Sequence, residues 1–104
     1  MTYHLMMKRD EIIERLKACE SDLRARGVAH AALFGSVARG EERPGSDIDI
    51  MVVIAPEARM DLFQYAGIVH YIEDLFPVPV DVANQSQLKP FVRPSAERDA
   101  VYAF

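Results

Sequence analysis

Residues 32–54, ALFGSVARGEERPGSDIDIMVVI, join two apolar runs through a polar loop. The first run ends at Gly35-Ser36, and the segment from Gly40 to Gly45 has the composition of a turn. The second run, Ile48 to Ile54, is rich in β-branched residues and is predicted to be a strand. Asp47 and Asp49 lie where this strand begins. Because side chains alternate along a strand, both aspartates should point away from the apolar face.

The two aspartates are a candidate metal-binding pair. Their Cα atoms would be roughly 6.5 to 7 Å apart on one face of the strand. Two carboxylates so placed repel each other, and each raises the pKa of the other unless a cation lies between them. Mg²⁺ favours carboxylate oxygens together with phosphate and water. Taken alone, the pattern is also compatible with a solvent-exposed strand start.

The Gly35-Ser36 step is a candidate phosphate-binding turn. Glycine allows a ligand to approach the backbone closely. If Ser36 begins a helical turn, free N–H groups and a hydroxyl would face an incoming anion. Arg39 either adds a cation to this turn or is a solvated surface residue. Ser46 is a candidate for orienting the loop that leads to the aspartates.

Asp81 is the candidate third carboxylate. It stands alone in the apolar segment Val78–Ala83, whose short strand is predicted around Val80 to Ala83 and could lie beside the strand that begins at Ile48. An acid in so apolar a run is costly unless it is exposed or partnered. A third carboxylate would allow a site with two metal ions, one activating the attacking oxygen and one stabilising the leaving oxygen.

The remaining sequence predicts an α/β (α+β) fold with a small mixed sheet flanked by helices. A helix is expected over residues 8–26, ending before Gly27, and a strand over Val28 to Phe34. A second helix is expected over residues 58–75, with an inner face made of Leu62, Ala66, Val69, Ile72 and Leu75. The tail predicts a short irregular helix within residues 87–97 and a last strand within residues 100–104. We expect the 104 residues to form a single domain.

Composition excludes several classes of function. The net charge of −4 argues against stable binding of nucleic acid, which needs clustered Lys and Arg. One cysteine cannot form an internal disulfide, and no apolar stretch approaches the about 20 residues of a membrane span. We therefore expect a cytoplasmic protein that acts at neither a membrane nor a nucleic acid.

The pattern G-S-x-x-R-G-x(5)-S-D-x-D, which runs from Gly35 to Asp49, together with Asp81 in a later strand, resembles the nucleotidyltransferase superfamily that includes DNA polymerase beta. The short chain is similar to the minimal nucleotidyltransferases, and the likeness extends from about Val28 to the C-terminus. The resemblance implies a nucleotidyltransferase fold and transfer of a nucleoside monophosphate from a nucleoside triphosphate to a hydroxyl, with release of pyrophosphate.

The resemblance also implies roles for individual residues. Asp47, Asp49 and Asp81 would be the catalytic carboxylates and would hold two Mg²⁺ ions. Asp81 would in addition assist deprotonation of the acceptor. Gly35 and Ser36 would hold the β- and γ-phosphates of ATP.

Minimal members of the superfamily are often antitoxins that work beside a small, all-helical HEPN ribonuclease toxin. The leading hypothesis is AMP transfer from ATP to a hydroxyl, expected to be a tyrosine, of such a toxin in a hetero-oligomer. One alternative is an antitoxin that neutralises the toxin by binding alone. Another is a nucleotidyltransferase acting on a small molecule such as an aminoglycoside, with the acceptor pocket completed by a dimer.

Overall fold

A mixed sheet forms the centre of the computed structural model, which describes residues 7–41 and 47–104. In these two segments the strands are β1 (Val28–Phe34), β2 (Ile48–Ile54), β3 (Val80–Asn84) and β4 (Val101–Tyr102). Their order across the sheet is β3-β2-β1-β4. Strand β1 is antiparallel to both β2 and β4, whereas β2 and β3 are parallel. The predicted mixed sheet is therefore confirmed.

Helices lie before, between and after the strands. Their bounds are α1 (Arg9–Ala18), α2 (Glu20–Ala25), α3 (Gly35–Ala38), α4 (Leu62–Glu73) and α5 (Arg93–Asp99), with a 3₁₀ turn at Gln85–Gln87. Helix α4 provides the crossover that a parallel pair such as β2 and β3 requires. Across the two described segments, no helix is long and apolar enough to span a bilayer.

The prediction of one helix over residues 8–26 is wrong, because the helical segment bends at Cys19. The Cys19 N–H donates to the Leu16 carbonyl at 3.1 Å, three residues back, and the backbone there leaves the helical region. No Gly or Pro marks the break in the sequence. Leu16 and Leu23 are both fully buried on either side of it. Gly27 follows α2 with a φ of 102°, as expected for the residue after a helix.

The predicted inner face of the second helix is partly wrong. Leu62 is 78% exposed, whereas Ile68, which was not assigned to that face, is 1% exposed. Ile72 is buried as predicted. The helix begins only at Leu62, after Asp61 accepts a hydrogen bond from the Gln64 N–H at 2.7 Å, so residues 58–61 do not belong to it. This capping box fixes the start of the helix one turn later than the apolar spacing indicated.

The two faces of the sheet are covered differently. The main core includes Leu33, Ile50 and Ile72, and Leu33 and Ile50 are register partners on β1 and β2. The opposite face carries the partners Ala32 and Met51, which are buried but lie outside that main core. Helix α5 packs against β1, and the 3₁₀ turn packs against β2. The C-terminal segment thus contributes to covering the sheet.

Candidate active site

The three predicted carboxylates lie at the beginning of two neighbouring strands, and two of them, Asp49 and Asp81, share one face of the sheet. Asp47 immediately precedes β2, Asp49 is the second residue of β2, and Asp81 is the second residue of β3. The parallel register pairs Asp49 with Asp81 directly. Neighbouring strands are about 4.8 Å apart, and residues in register point to the same face. The strand pairing therefore places side by side two acids that are separated by 32 positions in the chain.

The apolar face of β2 fixes these positions. Ile48 and Ile50 are 2% and 0% exposed, and they alternate with the aspartates. The Ile48 N–H donates to the Pro79 carbonyl at 3.0 Å, which ties the start of β2 to the start of β3. A shift of β2 by one residue would bury the carboxylates and expose both isoleucines. Core packing thus determines the direction in which the carboxylates point.

The Gly35-Ser36 turn meets the aspartates at the end of β1. Phe34 is the antiparallel partner of Asp49, so the chain enters α3 directly beside the Asp49 carboxylate. Gly35 has a φ of 76°, and a Cβ at this position would collide with the Asp49 Oδ2. The first-turn N–H groups of a helix have no intrahelical acceptors. A turn with hydrogen-bond donors therefore lies against a carboxylate.

The surroundings of Asp49 disfavour the ionised form of its carboxyl group. Its partial burial raises the pKa of the Asp49 carboxyl, and the nearby charges of Asp81 and Asp47 raise it further. The positive charge of Arg39 acts in the opposite direction and lowers this pKa. A cation bound beside Asp49 would relieve the repulsion among the three acids.

The model of the nucleotidyltransferase domain matches residues 10–103. The chain belongs to the nucleotidyltransferase domain family. The protein adenylyltransferase MntA of Thermococcus cleftensis is 35% identical over 98 residues, which cover 93% of this chain and 97% of MntA. A solved structure provisionally described as a minimal nucleotidyltransferase has a TM-score of 0.75 and 33% identity, covering 91% of this chain and 95% of that one. The resemblance indicated by the motif is confirmed.

A more distant chain of similar fold comes from a solved complex of the tri-AMPylated Shewanella oneidensis HEPN toxin with MNT antitoxin. The TM-score is 0.62 at 15% identity, with 89% of this chain and 71% of that chain covered. At this identity the likeness concerns the fold alone, and it agrees with the predicted nucleotidyltransferase fold.

The candidate ligands of this nucleotidyltransferase, Asp47, Asp49 and Asp81, offer only carboxylate oxygens. Mg²⁺ prefers ligands of this kind. Their side chains do not converge on one point: in the part of the chain that the structure describes, no three acidic, His or Cys side chains are placed to hold an ion. The shared face and the adjacent register, rather than a preformed cage, are the features that fit a metal.

Of the two remaining predicted site residues, the structure describes Arg39 but not Ser46. Arg39 lies near enough to act on the charge of Asp49, but its guanidinium is engaged elsewhere. Its Nη1 donates to Asp99 Oδ2 at 2.7 Å and its Nε donates to Glu41 Oε2 at 3.1 Å. Ser46 lies outside the described residues. The predicted roles of both residues stay predictions.

Asp99 was missed by the sequence analysis. It lies 60 residues after Arg39, within the charged segment Glu97–Asp99 of the tail. No local pattern distinguishes it from an ordinary solvated acid. Only the packing of α5 beside α3 brings it to Arg39.

A cavity of about 470 Å³ lies at the other end of β2 and β3. Its lining includes Ile54, Met60, Tyr65 and Asn84, and none of the predicted site residues. Because Ile54 and Asn84 are the last residues of their strands, this cavity is remote from Asp49 and Asp81. We assign the site to the face of the sheet that carries Asp49 and Asp81, because carboxylates suit the expected chemistry, and not to the cavity.

Proposed function

We propose that the protein is a protein adenylyltransferase that moves AMP from ATP to a hydroxyl of a partner protein. The observation that carries this proposal is the register match of Asp49 with Asp81, directly opposite the Gly35 turn. It brings a pair of carboxylates and a set of backbone donors to one place. The similarity to the MntA adenylyltransferase over 97% of the length of that protein supports AMP as the transferred group.

In this proposal the chain mainly positions the substrates and neutralises charge. Gly35 and Ser36 bind the β- and γ-phosphates through backbone N–H groups and the serine hydroxyl. Arg39 adds a positive charge at the same end of the triphosphate. Ser46 orients the loop that leads to the aspartates.

Asp47, Asp49 and Asp81 would hold two Mg²⁺ ions, which when bound neutralise phosphate charge and favour attack at the α-phosphorus. The acceptor oxygen forms a bond to the α-phosphorus, and the bond from that phosphorus to the bridging oxygen of the β-phosphate breaks. Pyrophosphate leaves with the electron pair. In this proposal the Asp81 carboxylate accepts the proton of the acceptor hydroxyl.

We assign the acceptor to a protein rather than to a small molecule. The aspartates lie on a face of the sheet and not in the cavity, and Asp81 is exposed on the edge strand β3. An exposed position of this kind is accessible to a side chain presented by a folded partner. The name of the MntA relative, a protein adenylyltransferase, favours the same class of acceptor.

The proposed partner is a HEPN ribonuclease toxin, with a tyrosine as acceptor and inactivation of the toxin as the outcome. The fold is shared with a chain from a complex of an AMPylated HEPN toxin with an MNT antitoxin, which supports this class of partner. A hetero-oligomer of the two proteins follows from the proposal. The presence of all three carboxylates argues against an antitoxin that acts by binding alone.

The test combines this protein, a HEPN protein encoded beside it, Mg²⁺ and ATP labelled at the α-phosphate. We expect label on a tyrosine of the partner with the wild-type protein and no label with Asp49→Asn. Asp10→Asn removes an exposed carboxylate of α1 and should label the partner as the wild type does.

Toxin activity is measured in the same reactions. If Asp49→Asn inhibits the ribonuclease fully without any label, neutralisation is by binding and the catalytic proposal is wrong. Label on a small hydroxyl compound such as an aminoglycoside, with none on the partner, would replace the protein acceptor by a small molecule.

A further inference from the structure

An ion pair connects the end of α3 to the C-terminal helix α5. Arg39 follows the last residue of α3, and its Nη1 lies 2.7 Å from Asp99 Oδ2. The Asp99 side chain is 21% exposed, less than any other acid in the ion pairs of the described segments. The Arg39 side chain is 44% exposed, so water is partly excluded from this pair on the side of the acid only.

The position of Asp99 is not explained by the needs of its own helix. It is the last residue of α5, where the helix dipole disfavours a negative charge. The other ion pair of α5 is local: Arg93 Nε and Glu97 Oε1 are 2.7 Å apart at i, i+4. Asp99 instead makes a tertiary contact with α3, across 60 positions of the chain.

Arg39 in turn is tied to the turn that lies beside Asp49. Its backbone N–H donates to the Gly35 carbonyl at 3.2 Å, and a Cβ on Gly35 would collide with Asp49 Oδ2. Asp99, together with Glu41, therefore fixes the guanidinium of a residue that lies one helical turn from the Asp49 carboxylate. An arginine with many rotamers loses less conformational freedom on binding a ligand when a neighbour already holds it in place.

We propose that Asp99 is a positioning residue for nucleotide binding, which holds the guanidinium of Arg39 at the end of α3, next to the proposed phosphate-binding turn. The inference rests on the proposed function and deepens it, because it makes the C-terminal helix part of the nucleotide site. Asp99 does not contact the substrate in this proposal and acts only through Arg39.

The test compares Asp99→Asn with Glu97→Gln, which removes the local ion pair of the same helix. Affinity for a non-hydrolysable ATP analogue with Mg²⁺ is measured by calorimetry, together with KM for ATP and kcat for AMP transfer. For Asp99→Asn we expect the dissociation constant and KM to rise about three- to five-fold, the scale of one ordered ion pair. We expect kcat to change less than about two-fold, because the interaction stabilises the bound substrate and the transition state equally. Glu97→Gln should match the wild type.

The same substitution is then made in an Arg39→Ala background. If Asp99 acts through Arg39, Asp99→Asn should have no further effect on nucleotide affinity there. Melting temperatures are compared throughout, and Asp99→Glu, which retains the charge, replaces the Asn variant if that variant does not fold. The Glu variant should weaken nucleotide binding less than Arg39→Ala does.

Three results would overturn the inference: unchanged affinity in Asp99→Asn, tighter binding in Asp99→Asn, or an equal loss with and without Arg39. The second result would mean that Asp99 competes with the triphosphate for Arg39. A wild-type protein that binds no nucleotide and transfers no AMP would instead refute the proposed function. The two failures are thus distinguishable.

Discussion

Asp49 and Asp81 occupy matching positions on two parallel strands, with a carboxylate from each on the same face of the sheet. The pair costs stability in the absence of a cation. Burial raises the pKa of Asp49, and the charges of Asp81 and Asp47 raise it further. Folding therefore disfavours the ionised form of this residue.

We expect Asp49→Asn to raise the free energy of unfolding near pH 7 in metal-free buffer. The pKa of Asp49 is higher in the folded state than in the unfolded state, where it is about 3.9. The contribution of Asp49 to stability is therefore fully present below the unfolded-state pKa and is lost as the pH rises through the folded-state pKa. The asparagine does not titrate. The two stabilities should therefore be similar at low pH and diverge as the pH rises. Urea denaturation with EDTA at several pH values measures this difference. A variant less stable than the wild type at pH 7 would contradict the assignment.

Asp81→Asn should separate nucleotide binding from transfer. The Gly35 turn and Asp49 are unchanged in this variant, so affinity for an ATP analogue should remain within a few-fold of the wild type. AMP transfer should fall by about 100-fold or more, the usual scale for loss of a general base. Calorimetry and α-labelled ATP give the two quantities. Asp74→Asn, at the exposed end of α4, serves as the control and should retain both activities. Transfer at the wild-type rate by the Asp81 variant would remove Asp81 from the mechanism.

Gly35→Ala and Gly40→Ala form a matched pair. The two glycines have φ of 76° and 75°, so an added Cβ should cost each variant about 1 to 2 kcal/mol of stability through backbone strain. At Gly35 the Cβ would also collide with the Asp49 carboxylate, whereas at Gly40 nothing lies within 4 Å. We expect both variants to melt at lower temperature but only Gly35→Ala to lose AMP transfer. Equal loss of transfer in both would indicate that backbone strain alone is responsible.

The corrected face of α4 predicts unequal effects of truncating two apolar side chains. Ile68 is 1% exposed and Leu62 is 78% exposed. Ile68→Ala should lower the free energy of unfolding by about 2 to 5 kcal/mol. Leu62→Ala should change it by less than about 0.5 kcal/mol. Chemical denaturation of the two variants measures both. Comparable losses would mean that Leu62 is covered in solution, for example by a partner or a second copy.

Local pattern predicted the strands well, and the candidate site stays a prediction. Alternation along β2 placed Asp47 and Asp49 on one side and Ile48 on the other, because burial and period-2 geometry act together there. An acid isolated in an apolar strand indicated Asp81. The rule that a lone polar group in such a run must be exposed or partnered left both possibilities open, and the strand register supplies the pairing with Asp49.

Features set by tertiary packing could not be predicted in the same way. No helix-breaking residue marks the end of the first helix at Cys19. The inner face of α4 differs from the predicted one because Ile68, rather than Leu62, packs into the core. The contact of Arg39 with Asp99 depends on where α5 packs. Nothing in the sequence near either residue predicts that the two side chains meet. Local periodicity does not distinguish between such alternatives.

The position of β3 at the edge of the sheet has an evolutionary consequence. Asp81 is exposed there and is not part of the hydrophobic core, so its replacement would leave the fold intact. Asp49, in contrast, lies against the Gly35 turn, so its loss would alter the proposed phosphate-binding turn as well as the set of acids, even though it should not destabilise the fold. A single substitution at the edge could thus convert a lineage of such enzymes into nucleotide-binding proteins without catalysis. Pseudoenzymes would be expected to arise in this fold more readily by loss of the third acid than by loss of the second.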